Sequence, residues 1–103
     1  MYDNKKQDNT LYIASEICEH EYENRTDIER VEIINSVKTI GAYAFAGCTS
    51  LREINIPDSV TEIEEDAFFG CANLTIRGKK GSEAERCAKE YGITFIEVSK
   101  NVF

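Results

Sequence analysis

Residues 36–51 read SVKTIGAYAFAGCTSL, and 23 residues later the chain reads SVTEIEEDAFFGCANL. Half of the sixteen positions are identical: Ser36, Val37, Ile40, Ala44, Phe45, Gly47, Cys48 and Leu51 meet Ser59, Val60, Ile63, Ala67, Phe68, Gly70, Cys71 and Leu74. Self-similarity this dense, at a period in the twenties, leaves few folds open. It marks stacked repeat units, each too small to bury its own apolar face. The period also extends backwards: Leu51, Ile54 and Ile56 fall on Ile28, Val31 and Ile33. Further back it fades. Ile17 still matches Ile40 and Tyr22 takes the slot of Phe45, but Glu21 replaces Ala44.

One unit can be read residue by residue. Leu51-x-x-Ile54-x-Ile56 ends in strict alternation, so Ile54 and Ile56 point to one side of a strand and Glu53 and Asn55 to the other. Pro57-Asp58-Ser59 is turn chemistry, and Val60-x-x-Ile63 is a second extended piece. Ala67-Phe68 before Gly70 reads as a tight helical turn stopped by glycine. Stacked at strand spacing, about 4.8 Å, such units form columns of Phe, Ile, Leu and Ala. The expected fold is a solenoid, α/β or mainly β, with 23-residue coils, parallel strands and short helical turns. Its expected layout is a polar N-terminal tail at 1–13, about three coils at 14–76 with the first degenerate, and a helix–strand cap at 77–103.

The cap follows a break at Gly78-Lys79-Lys80-Gly81. Ser82 and Glu85 have capping-box spacing. Ala84, Cys87, Ala88 and Tyr91 share one helical face, Gly92 is a natural stop, and 93–98 reads as a last strand.

With 103 residues there is room for one domain, and 42% apolar residues suit a globular chain. The net charge of −7 repels phosphate backbones, so no nucleic-acid partner is expected. No stretch is long and apolar enough to span a bilayer, and the N-terminus lacks the apolar segment of a signal peptide. The chain as it stands reads as cytoplasmic, or as a piece of a longer exported protein. Charge is uneven: residues 16–32 hold seven acids and two bases, residues 77–89 five bases and two acids.

The string SVTEIEEDAFFGCANL, with IPDSV ahead of it, resembles the BspA-like leucine-rich repeats, also called the Treponema pallidum type. The resemblance covers roughly residues 14–98 and is most specific at 28–76. It implies a parallel-sheet solenoid and a role in protein–protein or cell-surface interaction, since members are often bacterial or protist surface proteins. It carries no catalytic residues over to this chain.

Cys18, Cys48, Cys71 and Cys87 have no C-x-x-C spacing, and Cys48 and Cys71 occupy one slot in successive units. They read as small buried hydrophobes, not as a metal site. His20, the single histidine, sits among Glu16, Glu19, Glu21 and Glu23 and reads as solvated. With no nucleophile and base in view, neither an enzyme nor a metal or cofactor is expected. The favoured function is a non-catalytic protein-interaction module. Its expected contacts are Arg30, Glu32, Arg52, Glu53 and Asn55 on outward strand positions, with Arg30–Glu53 and Glu29–Arg52 stacking across units, and Phe69 on the turn. The alternative is a self-associating unit, a homodimer through an uncapped N-terminal edge.

Overall fold

The computed structural model describes residues 9–98. Seven strands and a helix follow in the order β1 (Thr10–Ile13), β2 (Arg30–Ile33), β3 (Thr39–Ile40), β4 (Glu53–Asn55), β5 (Glu62–Ile63), β6 (Thr75–Gly78), α1 (Glu83–Tyr91) and β7 (Thr94–Glu97). They make two parallel sheets: a five-stranded one, β1-β2-β4-β6-β7, and a short pair, β3-β5. Ile17 extends the pair by a bridge to Ile40.

The register shows why the repeat exists. Leu11, Val31, Ile54, Ile76 and Phe95 are successive partners across the large sheet. Val31, Ile54 and Ile76 are buried, as are Leu51, Ile56, Val60 and Ile63. Tyr22, Phe45 and Phe68 stack face to face, with ring centroids 5.4 and 5.7 Å apart. Each unit must offer its neighbour the same buried profile, and the sequence repeats because of it.

The turn after β3 is not helical. Ala44, Ala46 and Cys48 donate to the carbonyls of Gly41, Tyr43 and Phe45 within the turn. The amides between them, Tyr43, Phe45 and Gly47, donate instead to Glu65, Ala67 and Phe69 of the next unit. A helix would turn every amide beyond its first four back on itself and leave fewer to join the units. The turn splits its donors, at the cost of two left-handed residues per unit: His20, Tyr43 and Asp66 in one slot, Asn24, Gly47 and Gly70 in the other.

The expected N-terminal tail ends too late. Residues 1–8 lie outside the described residues, but Thr10–Ile13 is a strand paired in register with Arg30–Ile33. The offset here is 20 residues, whereas Ile17 bridges Ile40 at 23. The first unit therefore lacks three residues between its two extended pieces. Glu16 compensates. In the later units Thr61 and Glu62 donate to the carbonyl of Lys38; at the equivalent place Lys38 and Thr39 donate to the Glu16 carboxylate, at 3.0 and 2.9 Å.

At the other end, the boundary expected after Ile76 cuts through β6, whose Gly78 is buried. A Cβ on Gly78 would lie 2.9 Å from the Ala84 Cβ, so glycine lets α1 close onto the sheet. Ala84, Cys87 and Ala88 form the buried face of α1, and Gly92 ends it in the left-handed conformation. The capping box does not form. Ser82 Oγ donates back to the Lys79 carbonyl, and Glu85 accepts from the Gly81 N–H.

Candidate functional site

Parallel sheets are normally covered on both faces. Here the inner face of the five-stranded sheet packs on the core, and among the described residues nothing is laid over its outer face, whose side chains are exposed or half-exposed. Alternation sets two outward rows. One runs Thr10, Arg30, Glu53, Thr75, Thr94; the other Tyr12, Glu32, Asn55, Arg77, Ile96. Four of the six expected contact residues, Arg30, Glu32, Glu53 and Asn55, meet in the middle of these rows.

Polar pairing pre-sets this face. Glu53 lies between Arg30, at 3.7 Å, and Arg77, at 3.2 Å. Asn55 Nδ2 donates to Glu32 at 2.7 Å. Arg52, just ahead of β4, pairs with Glu29 at 3.9 Å. All are exposed or half-exposed, so each pair contributes little stability, about 0–1 kcal/mol, and remains open to competition by a ligand. Phe69 is exposed too, but it sits on the turn after β5, away from the strand rows.

Sequence reasoning missed the two ends of the second row. Tyr12 is 71% exposed and Ile96 44%. Both present apolar surface beside the polar centre. Tyr12 was lost in the supposed tail, because a slide of 23 residues does not find a strand offset by 20. Arg77 was lost at the supposed cap boundary, although it is the Cα partner of Asn55. At the carboxyl ends of these strands a groove of about 460 Å³ opens, lined by Asn55, Pro57, Asp58, Arg77, Lys80 and Val98 among others.

Elsewhere the chemistry is quiet. Cys48, Cys71 and Cys87 are buried free thiols, and Cys18 is exposed. Burial pushes the Cys71 thiol up to about 12 and the Cys87 thiol up to about 11. The Cys48 and Cys71 thiols donate to the carbonyls of Tyr22 and Phe45, each at 3.2 Å. His20 bonds Glu23 at 2.7 Å and stacks on Tyr43. Among the described residues no group of His, Cys, Asp and Glu is arranged to hold a metal ion, and no helix is long and apolar enough to cross a membrane. The basic stretch 77–89 is largely spent on local pairs: Arg77–Glu53, Lys79–Asp58, Lys89–Glu85, and Arg86 with Glu83 and Glu90.

Parallel strands, one per repeat in the larger sheet, with one face left open by the described residues, define a repeat protein of the leucine-rich class. The model of the BspA-type leucine-rich repeat region, with six copies, matches residues 15–81, more than half of the chain. The chain belongs to that family, which is generally non-catalytic and suggests protein partners. Comparison with curated proteins and with solved structures returned no match.

Proposed function

We propose that this chain is a non-catalytic, solenoid-type module that binds a protein or peptide across the outer face of its five-stranded sheet. The observation that supports it is a parallel sheet whose outer face the described residues leave uncovered: a polar, charge-paired centre flanked by the exposed ring of Tyr12 and side chain of Ile96. Rigid repeat stacks use such surfaces for recognition, because their side chains are held without an ordering cost at binding. The charge of −7 argues against nucleic acid as the partner.

Selection from a displayed peptide library tests the reading. Selected peptides should bind the wild type and lose at least about tenfold in affinity to an Arg30→Glu/Glu53→Lys variant, while Phe69→Ser leaves them unchanged. Undiminished binding to the double variant removes the sheet face from consideration.

A second reading, self-association, is favoured by the sheet order, which leaves β1 and β7 as the outer strands. Edge strands recruit further strands. Light scattering across a dilution series decides it: a constant monomer mass eliminates this reading.

A further inference from the structure

Two periodic features stop at the same place. The first is the amide ladder of the turns. Tyr22 and Asn24 donate to Ala44 and Ala46, and Phe45 and Gly47 donate to Ala67 and Phe69, all at 2.7–2.8 Å. By the same register the N–H groups of Phe68 and Gly70 face onward, and among the described residues neither has an acceptor. The third member of that edge, the Asp66 N–H, reaches only the Tyr91 hydroxyl, at 3.5 Å.

The second is the aromatic column, which runs Tyr22, Phe45, Phe68 and has no fourth ring among the described residues. Beyond Phe68 lies a cavity of about 280 Å³, lined by Ala67, Phe68, Cys71, Leu74, Cys87 and Ile93 together with Tyr91 and Thr94 at its rim. Phe68, Cys71 and Leu74 are 5–8% exposed, whereas their counterparts Phe45, Cys48 and Leu51 are fully covered. The helix α1 replaces only part of the unit that would have come next. It closes β5, and among the described residues nothing fills the space beneath the turn.

We propose that this cavity is a second binding site, which takes an aromatic side chain from a partner peptide while the peptide's main-chain carbonyls accept from Phe68 and Gly70. The unit's own construction specifies this chemistry. Inside the repeat the same donors meet carbonyls two residues apart, with a Phe between them: Ala67, Phe68 and Phe69 under Phe45 and Gly47. The volume is about twice that of a cavity that holds benzene and lies at the low end of ligand pockets, so it suits one ring and its backbone, not a large molecule. The lining has no Lys or Arg, which disfavours a phosphate or a free carboxylate and favours a neutral carbonyl. This site lies at the end of the turn ladder, apart from the outer sheet face, and does not depend on the reading proposed for that face.

The probe is acetyl-Ala-Phe-Ala-Gly-amide, a copy of residues 44–47, titrated into the isotope-labelled full chain. The backbone amide signals of Phe68 and Gly70 should move saturably, together with Ile93, while Phe45 and Gly47 stay still. The Ala-for-Phe probe should bind about tenfold more weakly, or worse, because it leaves the ring slot empty. In the free protein the Phe68 and Gly70 amides should exchange with solvent faster than those of Phe45 and Gly47. The proposal fails if Phe68 and Gly70 do not respond to millimolar probe, or if both probes bind equally. It also fails if the two signals move on dilution of the protein alone, since a second copy is then the occupant.

Discussion

The Glu83 carboxylate accepts the backbone N–H of Ile63 at 3.0 Å. In the repeat, Ile17 donates to a carbonyl of the following unit. Ile63 has no following unit, and a side chain from α1 takes over the acceptor's role. The hydrogen bonds from Arg86 hold the Glu83 carboxyl below its usual range, with the Ile63 N–H adding to the effect against partial desolvation. A depressed folded-state value means that the unfolded chain binds the proton more readily. The stability this group contributes is therefore present above about pH 4.5 and is lost as pH falls through the lower folded value. Urea midpoints measured from pH 7 to pH 3 should fall less for Glu83→Gln than for the wild type. Parallel pH curves would show that the contact carries no linkage.

Much of this fold can be read directly from residues 28–76, because there one register repeats intact and every buried column has a visible partner. The ends were less legible for physical reasons. The first unit is three residues short, and its strand shifts to a 20-residue offset that a 23-residue comparison cannot find. Glu16 restores the missing acceptors, yet nothing in the local sequence distinguishes it from its acidic neighbours. At Ser82 the spacing of a capping box is present, but Ser82 Oγ donates to the Lys79 carbonyl and Glu85 accepts from the Gly81 N–H instead. The outer face was half legible. Alternation places Arg30, Glu32, Glu53 and Asn55 on it, while Tyr12 lies in a strand the 23-residue period does not reveal and Ile96 joins the row only through the register of β7 on β6.

The thiols should separate cleanly by reactivity. Thiolate is the reactive form, and burial raises the values of Cys48, Cys71 and Cys87, the latter two to about 12 and about 11. At pH 8 an aromatic disulfide reagent should label one thiol rapidly, Cys18, and the other three only at the rate of unfolding. Four equivalents of fast release in native buffer would contradict this packing.

Phe45 and Phe68 occupy the same slot but not the same surroundings. Phe45 is stacked on both faces, by Tyr22 and Phe68, and is fully buried. Phe68 has a ring on one side and a cavity on the other. Phe45→Ala should cost about 3–5 kcal/mol in chemical denaturation. Phe68→Ala should cost less, since part of its contact surface is already missing. A larger loss at Phe68 would mean that the cavity is filled in solution.

Gly41 tests whether the degenerate first unit is docked on the rest. Its N–H donates to the Ile17 carbonyl at 2.9 Å, and a Cβ at this position would lie 2.5 Å from the Glu19 backbone nitrogen and 2.7 Å from the Cys18 carbonyl carbon. Both obstacles are backbone, so neither can swing aside as a side chain would. Gly41→Ala should cost about 1–3 kcal/mol, the usual range for overpacking. Because neighbouring units are coupled only through their interface, the loss should be local. The amides of His20, Tyr22 and Asn24, which donate into the second unit, should lose exchange protection, while those of Phe45 and Gly47 keep theirs. Gly81→Asn provides the contrast: nothing lies within 4 Å of its Cβ position, and asparagine tolerates the left-handed backbone found there. If Gly41→Ala leaves protection at residues 20–24 unchanged, the first unit does not pack against the second as closely as its register requires.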